Sequence, residues 1–125
     1  MTQKILIVED NADTRELLAR LLEMESFCVV TAEDGRAGLH KASLERPDLI
    51  LTDVSMPNLS GIEMIRMLRG QPGFQRLKIV TITAYGKTVA DQALAAGADR
   101  ALPKPFEFDL LIGDIKTLLS AAAEV

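Results

Sequence analysis

Four short apolar runs in this 125-residue chain each stop at residues able to handle a cation or a phosphate group. Ile5–Val8 leads into Glu9 and Asp10, Leu49–Leu51 into Thr52 and Asp53, Ile79–Val80 into Thr81 and Thr83, and Ala101–Leu102 into Pro103 and Lys104. If these runs are parallel strands, acids, hydroxyl and amine converge at one edge of one sheet. Carboxylates gathered in one place repel at neutral pH unless something positive sits between them. A hard cation with oxygen ligands meets that need. Mg²⁺ is satisfied by an octahedron of oxygens and keeps several waters, so a carboxylate or two, a carbonyl and a phosphate oxygen suffice. Lys104 lies between Pro103 and Pro105, whose stiff backbone can aim its ammonium across the crevice at the Asp53 carboxylate. The Thr83 hydroxyl, one strand over, can donate to an oxygen attached there.

Taken singly, these residues also have structural explanations. Adjacent acids after a strand serve as helix-start charges, Asp53 can form a turn, and a lone lysine or strand-end threonine is an ordinary surface residue. Their convergence depends on the elements that carry them. Apolar runs suited to strands alternate with segments of helical period, the pattern of a parallel sheet with helices on both faces. Strands are expected at Lys4–Val8, Phe27–Thr31, Asp48–Thr52, Leu77–Ile82 and Arg100–Leu102. Asn11 can cap a first helix that turns Leu17, Leu18, Leu21 and Leu22 inward. Gly35 marks a turn before a helix over Ala37–Leu44, which ends ahead of Pro47.

Ser60 and Glu63 have capping-box spacing, each reaching the other's backbone, for a third helix with Ile62, Ile65 and Leu68 inward. Gly70–Gly73 ends it. The Ala-rich segment Lys87–Ala96, with Val89 and Leu94 its large apolar residues, makes a weakly packed fourth helix closed by a left-handed Gly97. A last helix from Phe106 turns Leu110, Leu111, Ile115, Leu118 and Leu119 inward, and Ala121–Val125 frays. Pro103 suits the end of an edge strand. The expected fold is therefore α/β: a doubly wound (βα)5 flavodoxin-like three-layer sandwich with a parallel five-stranded sheet in the order 2-1-3-4-5. Its crevice lies where the order reverses, at the carboxyl ends of the first and third strands.

The length fits one domain spanning 1–125, with a core over about 4–120. A net charge of −4 opposes direct binding to nucleic acid, and 4% aromatic residues leave no stacking platform for single strands. Cys28, the single cysteine, is expected to be a small buried apolar residue. No apolar run approaches the roughly 18 residues that span a bilayer, so no membrane association and a cytoplasmic location are expected. The lone His40 has no Cys or His beside it and belongs on the exposed face of the second helix, which leaves no soft-metal site.

Together, Ile5–Asp10, Asp48–Pro57, Ser60–Gly61, Ile82–Ala84, Ala96–Asp99 and Pro103–Phe106 resemble the receiver domain of two-component response regulators over nearly the whole chain. The resemblance implies that Asp53 accepts a phosphoryl group and that Asp10 binds Mg²⁺ directly, with Mn²⁺ as a substitute. Glu9 would act through water, and Ser55 would offer a backbone carbonyl. Thr83, Lys104 and the backbone N–H groups of Ser55 and Ala84 would bind the phosphoryl oxygens. The donor would be a phosphohistidine on a sensor histidine kinase or a histidine phosphotransfer protein, docking beside the first helix. By that resemblance the domain would be a signalling switch rather than an enzyme, catalysing only its own phosphorylation and slow dephosphorylation.

The family often carries an aromatic switch residue three positions before the lysine; here that position is Ala101. Tyr85 is a candidate to cover the phosphate instead. Output would pass to a downstream target or an output domain, which the chain itself is not expected to contain. It would leave through the face of the fourth helix, fifth strand and fifth helix, as a monomer or a weak phosphorylation-dependent dimer. Two alternatives share parts of the pattern. A haloacid-dehalogenase-type hydrolase needs a second Asp two residues after the nucleophile, where this chain has Ser55. A flavin- or nucleotide-binding module needs a Gly-rich loop where Glu9-Asp10-Asn11-Ala12 would repel phosphate.

Overall fold

Runs of Ile, Leu and Val form five strands in the computed structural model, which describes residues 2–84 and 86–123. They are β1 (Lys4–Val8), β2 (Cys28–Ala32), β3 (Leu49–Asp53), β4 (Lys78–Thr83) and β5 (Arg100–Pro103). All pairings are parallel and the order is β2-β1-β3-β4-β5, as the sequence predicts. Between them run α1 (Ala12–Met24), α2 (Gly35–Glu45), α3 (Gly61–Arg69) and α4 (Gly86–Ala96), with α5 (Phe108–Ala123) last. Register decides what meets at the carboxyl edge. Val8 pairs with Thr52, so the next residues, Glu9 and Asp53, emerge side by side. Thr83 pairs with Pro103, which brings Lys104 to the same edge.

The side-chain period of a strand sends alternate residues to opposite faces. Ile5, Ile7, Leu49, Leu51, Val80 and Ile82 pack with Leu18 and Leu22 of α1 and the buried stripe of α5. Leu6, Val8, Ile50 and Ile79 pack on the other side with Ala42, Met64, Ile65, Leu68 and Ala93 of α2, α3 and α4. Helix starts follow their caps. Asn11 Oδ1 accepts the Thr14 N–H at 2.9 Å, and Asp34 Oδ1 accepts that of Ala37 at 2.8 Å.

Several expectations are corrected by packing. Cys28 is exposed, because β2 is an outer strand and Cys28 is its first residue. Leu17 is 58% exposed, since an arc of four leucines is wider than the sheet can cover and α1 buries Leu18 and Leu22. In α5, which starts two residues later than expected, Leu110 is 64% exposed while Ile112 joins Leu111, Ile115, Leu118 and Leu119 in the core. Gly35 is the first residue of α2 rather than a turn. Ser60 accepts the Glu63 N–H at 3.2 Å as expected, but the Glu63 carboxylate accepts from the Ser60 hydroxyl rather than from the Ser60 backbone N–H. The fourth helix is weakly packed as expected, with Leu94 exposed and Ala93 its buried residue. Helix α5 continues through Ala123, and the rest of the tail expected to fray lies outside the described residues.

At the amino edge, Arg69 ties three segments together. Its guanidinium donates to the carbonyls of Gly97 (3.0 and 2.9 Å), Phe74 (2.9 Å) and Leu77 (2.7 Å) and to Asp99 Oδ2 (3.1 Å). Asp99 Oδ2 also accepts the Ile79 N–H at 2.8 Å, so the turn after α4 is bolted to the start of β4. Gly97 has φ +125°, and a Cβ there would lie 2.7 Å from Arg69 Cγ, which explains the glycine.

Candidate functional site

Carboxylate oxygens of Glu9, Asp10 and Asp53 lie within 4.8 Å of one another at the carboxyl edge of β1 and β3. Glu9 is 4% exposed, whereas Asp10 faces solvent. Burial pushes the Glu9 carboxyl above its ordinary value, the N–H of Asn11 opposes that shift, and the neighbouring Asp10 and Asp53 add to it. Asn11 N–H donates to Glu9 Oε2 at 3.1 Å and Val54 N–H to Asp53 Oδ1 at 2.7 Å. Lys104 Nζ approaches from the β5 side, 3.4 Å from Asp53 Oδ2 and 3.9 Å from Glu9 Oε1. The Asp53 side chain, 12% exposed, thus has both acids and an ammonium beside it.

This donor set fits a hard divalent cation: it is all oxygen, clustered at one mouth, and includes a nearly buried carboxylate whose ionisation burial opposes. Such an ion would offset the cost of ionising Glu9. A concavity of about 560 Å³ lies elsewhere, lined by Arg46, Asp48, Phe74 and Arg76 among others.

The remaining predicted residues sit around this mouth. Thr83 is buried at the end of β4, and its carbonyl accepts the Lys104 N–H at 2.9 Å. Ser55 and Ala84 are exposed in the segments that follow β3 and β4. Ala101 is half-buried in β5 and pairs with Thr81. Tyr85 lies outside the described residues.

Residues that sequence reasoning did not find hold the loop after β3. Asn58, at φ +68°, donates from Nδ2 to Asp34 Oδ2 at 2.8 Å; the Ala37 N–H at the start of α2, and after it this bond, hold the Asp34 carboxyl below its usual range. The Gly61 N–H closes the loop onto the Val54 carbonyl at 2.8 Å. A Cβ on Gly61 would stand 2.3 Å from the Asp53 carbonyl oxygen, so α3 can approach the end of β3 only with glycine there. The Ser60-Gly61 pair was visible in the sequence; the Asp34–Asn58 bond, spanning 24 residues, left no local signal.

Comparison with known proteins gives a consistent result. The response regulator receiver domain pattern matches residues 5–116. Response regulator MprA of Mycolicibacterium vanbaalenii is 39% identical over 120 residues, covering 95% of this chain and 51% of the relative. The transcriptional regulatory protein CpxR homolog of Haemophilus influenzae is 40% identical over 122 residues, covering 96% and 52%. The chain therefore spans about half the length of these curated relatives. Among solved structures, the signal receiver domain of a signal transduction histidine kinase from Syntrophus aciditrophicus superposes with a TM-score of 0.90 at 34% identity, covering 96% of this chain and 92% of that one. Because the pattern takes in all five strands and the relatives match along nearly the whole chain, it belongs to the receiver domain family of two-component response regulators, a family of signalling switches.

Proposed function

We propose that Asp53 is the phosphoacceptor of this receiver domain and takes a phosphoryl group from a phosphohistidine on a sensor kinase or phosphotransfer protein. The observation that carries the reading is the setting of the Asp53 carboxylate, within 4.8 Å of the Glu9 and Asp10 carboxylates and 3.4 Å from the Lys104 ammonium. A carboxylate attacking an anionic phosphoryl group needs in-line positioning and neutralisation of charge more than covalent assistance. An Asp53 oxygen bonds to phosphorus as the P–N bond to the donor imidazole breaks, and the imidazole leaves with a proton. Glu9, Asp10, Asp53 and the Ser55 carbonyl would hold Mg²⁺, which would supply positive charge against the phosphoryl oxygens. Lys104, the Thr83 hydroxyl and the N–H groups of Ser55 and Ala84 bind those oxygens. Water attacking phosphorus later releases inorganic phosphate and restores Asp53, so turnover is confined to the domain's own phosphorylation and dephosphorylation.

Switching follows from the added charge. Lys104 N–H bonds the Thr83 carbonyl, so inward movement of either residue draws on both strand ends. Helix α4, which buries only Ala93, has little buried packing to lose by moving. Ala101 has no ring to rotate inward, which shifts the readout to α4 and the segment before it. Exposed Leu94 and Leu110 support the α4, β5 and α5 face as the surface toward a target, an output domain or a second copy. The acidic charge argues against direct nucleic-acid binding. Among the described residues no helix is long and apolar enough to cross a membrane, in keeping with a cytoplasmic site of action.

The test is Mg²⁺-dependent labelling of the protein from phosphohistidine or acetyl phosphate, read as a hydroxylamine-sensitive acyl phosphate. Asp53→Asn abolishes the label. Persistent labelling of that variant would place the acceptor elsewhere and overturn the assignment.

A further inference from the structure

We infer that Arg15 is a positioning residue for the cation site, acting on the peptide between Glu9 and Asp10 rather than by neutralising charge; this rests on the metal-site reading above. Arg15 sits in the first turn of α1, half-buried, and its Nη1 donates to the Glu9 carbonyl at 2.8 Å. Glu9 and Asp10 flank the peptide it contacts, yet among the described residues Arg15 enters no ion pair and the Glu9 carbonyl is its side chain's partner. The rest of Glu9 is fixed as well. Its N–H donates to the Ala32 carbonyl at 3.1 Å and its carboxylate accepts the Asn11 N–H.

The Glu9 carbonyl and the Asp10 N–H belong to one planar peptide unit, so fixing the carbonyl fixes the direction in which the chain delivers the Asp10 side chain. That matters because Asp10 is the exposed member of the cluster and has least packing to hold it against repulsion from Glu9 and Asp53. A hydrogen bond from a charged donor is stronger than a neutral one and suits this task.

Positioning and simple charge predict opposite signs. A guanidinium near a dication repels it, so if Arg15 acted only as a charge, removing it would tighten cation binding. If it positions the Asp10 peptide, removing it loosens binding. The probe is Mn²⁺, titrated into the full 125-residue chain with free ion read by electron paramagnetic resonance. Arg15→Gln is expected to raise the Mn²⁺ dissociation constant about tenfold, the lower end of what loss of an outer hydrogen-bond partner costs a metal site. Arg15→Lys keeps the charge but not the reach or the planar fork, and is expected to weaken binding as well. Without metal, the Asp10 amide nitrogen resonance shifts in both variants, which a change in stability alone does not produce.

Tighter or unchanged binding by Arg15→Gln, unchanged binding by Arg15→Lys, or an unmoved Asp10 resonance would each overturn the inference. Should Arg15→Gln fail to fold, Arg15→Lys decides by the same criteria. Absence of Mn²⁺ binding by the unaltered protein is a different result: it removes the metal site itself, and this role with it.

Discussion

Replacing Arg69 by alanine tests how firmly the far end of α4 is held. The guanidinium serves the carbonyls of Gly97, Phe74 and Leu77, and the side chain is 21% exposed, so water reaches the orphaned groups only in part. An unsatisfied, partly buried carbonyl costs roughly 1–3 kcal/mol, and the low end for three of them gives about 3 kcal/mol. The Asp99 pair adds little, because Asp99 retains the Ile79 N–H and both side chains keep some contact with solvent. Against a total stability of about 5–15 kcal/mol this is a large loss, and at about 4 °C per kcal/mol it lowers the melting temperature by roughly 12 °C. Urea unfolding followed by far-UV circular dichroism reads it as a lower midpoint with an unchanged slope. Arg69→Lys recovers one acceptor at most and falls between. The site lies at the opposite edge of the sheet, so acetyl phosphate labelling of the folded variant stays within about twofold of the unaltered protein. A loss below about 1 kcal/mol for Arg69→Ala would refute the claim that these carbonyls depend on it.

Two further predictions concern the site. Burial raises the Glu9 carboxyl above its ordinary 4.5, so the folded chain holds that proton more tightly than the unfolded chain. Its contribution to stability is therefore greatest at low pH and is lost as pH rises through the raised value. Without metal, Glu9→Gln should be the more stable protein at pH 7 and should lose the part of the pH dependence above 4.5 that ionisation of Glu9 causes; with Mg²⁺ in excess the order of stability reverses, because the ion stabilises only a site that binds it. Matching melting-temperature profiles for the two proteins between pH 5 and 8 would contradict this. In Gly61→Ala the new Cβ meets the backbone at Asp53 O and Val54 Cα, which cannot rotate away, so α3 must retreat at a cost of about 2 kcal/mol and labelling of Asp53 slows. Gly113→Ala, with nothing within 4 Å of its Cβ in mid-α5, is the control and should gain up to about 1 kcal/mol.

The parts of the site found in the sequence share one property: each stands at the end of an apolar run. In a parallel sheet the end of a run is the edge of the sheet, so Glu9, Asp10, Asp53, Thr83 and Lys104 could be brought together from strand identity and strand order alone. Caps were legible for the same reason, since Asn11 and Ser60 act on N–H groups three residues away. Phase was less so. Helical spacing identified the apolar arcs of α1 and α5 but not their centres, and Leu17 and Leu110 fell outside because the width of the sheet, not the period, decides how much of an arc is covered.

By itself, then, the sequence determined the order of strands and helices, the chemical character of one sheet edge and the family, because these depend on residue type and local period. Tertiary structure decided the rest. It turned Cys28 outward at the margin of the sheet, raised the Glu9 carboxyl by burying it beside other acids, and required Gly61 where α3 meets the Asp53 backbone. It also gave Arg15, Asn58 and Arg69 their partners. The physical reason is common to all of these: a charge, a donor or a missing Cβ acquires its role from groups far along the chain, as Arg69 does from Gly97 across 28 residues, and no local period encodes such a meeting.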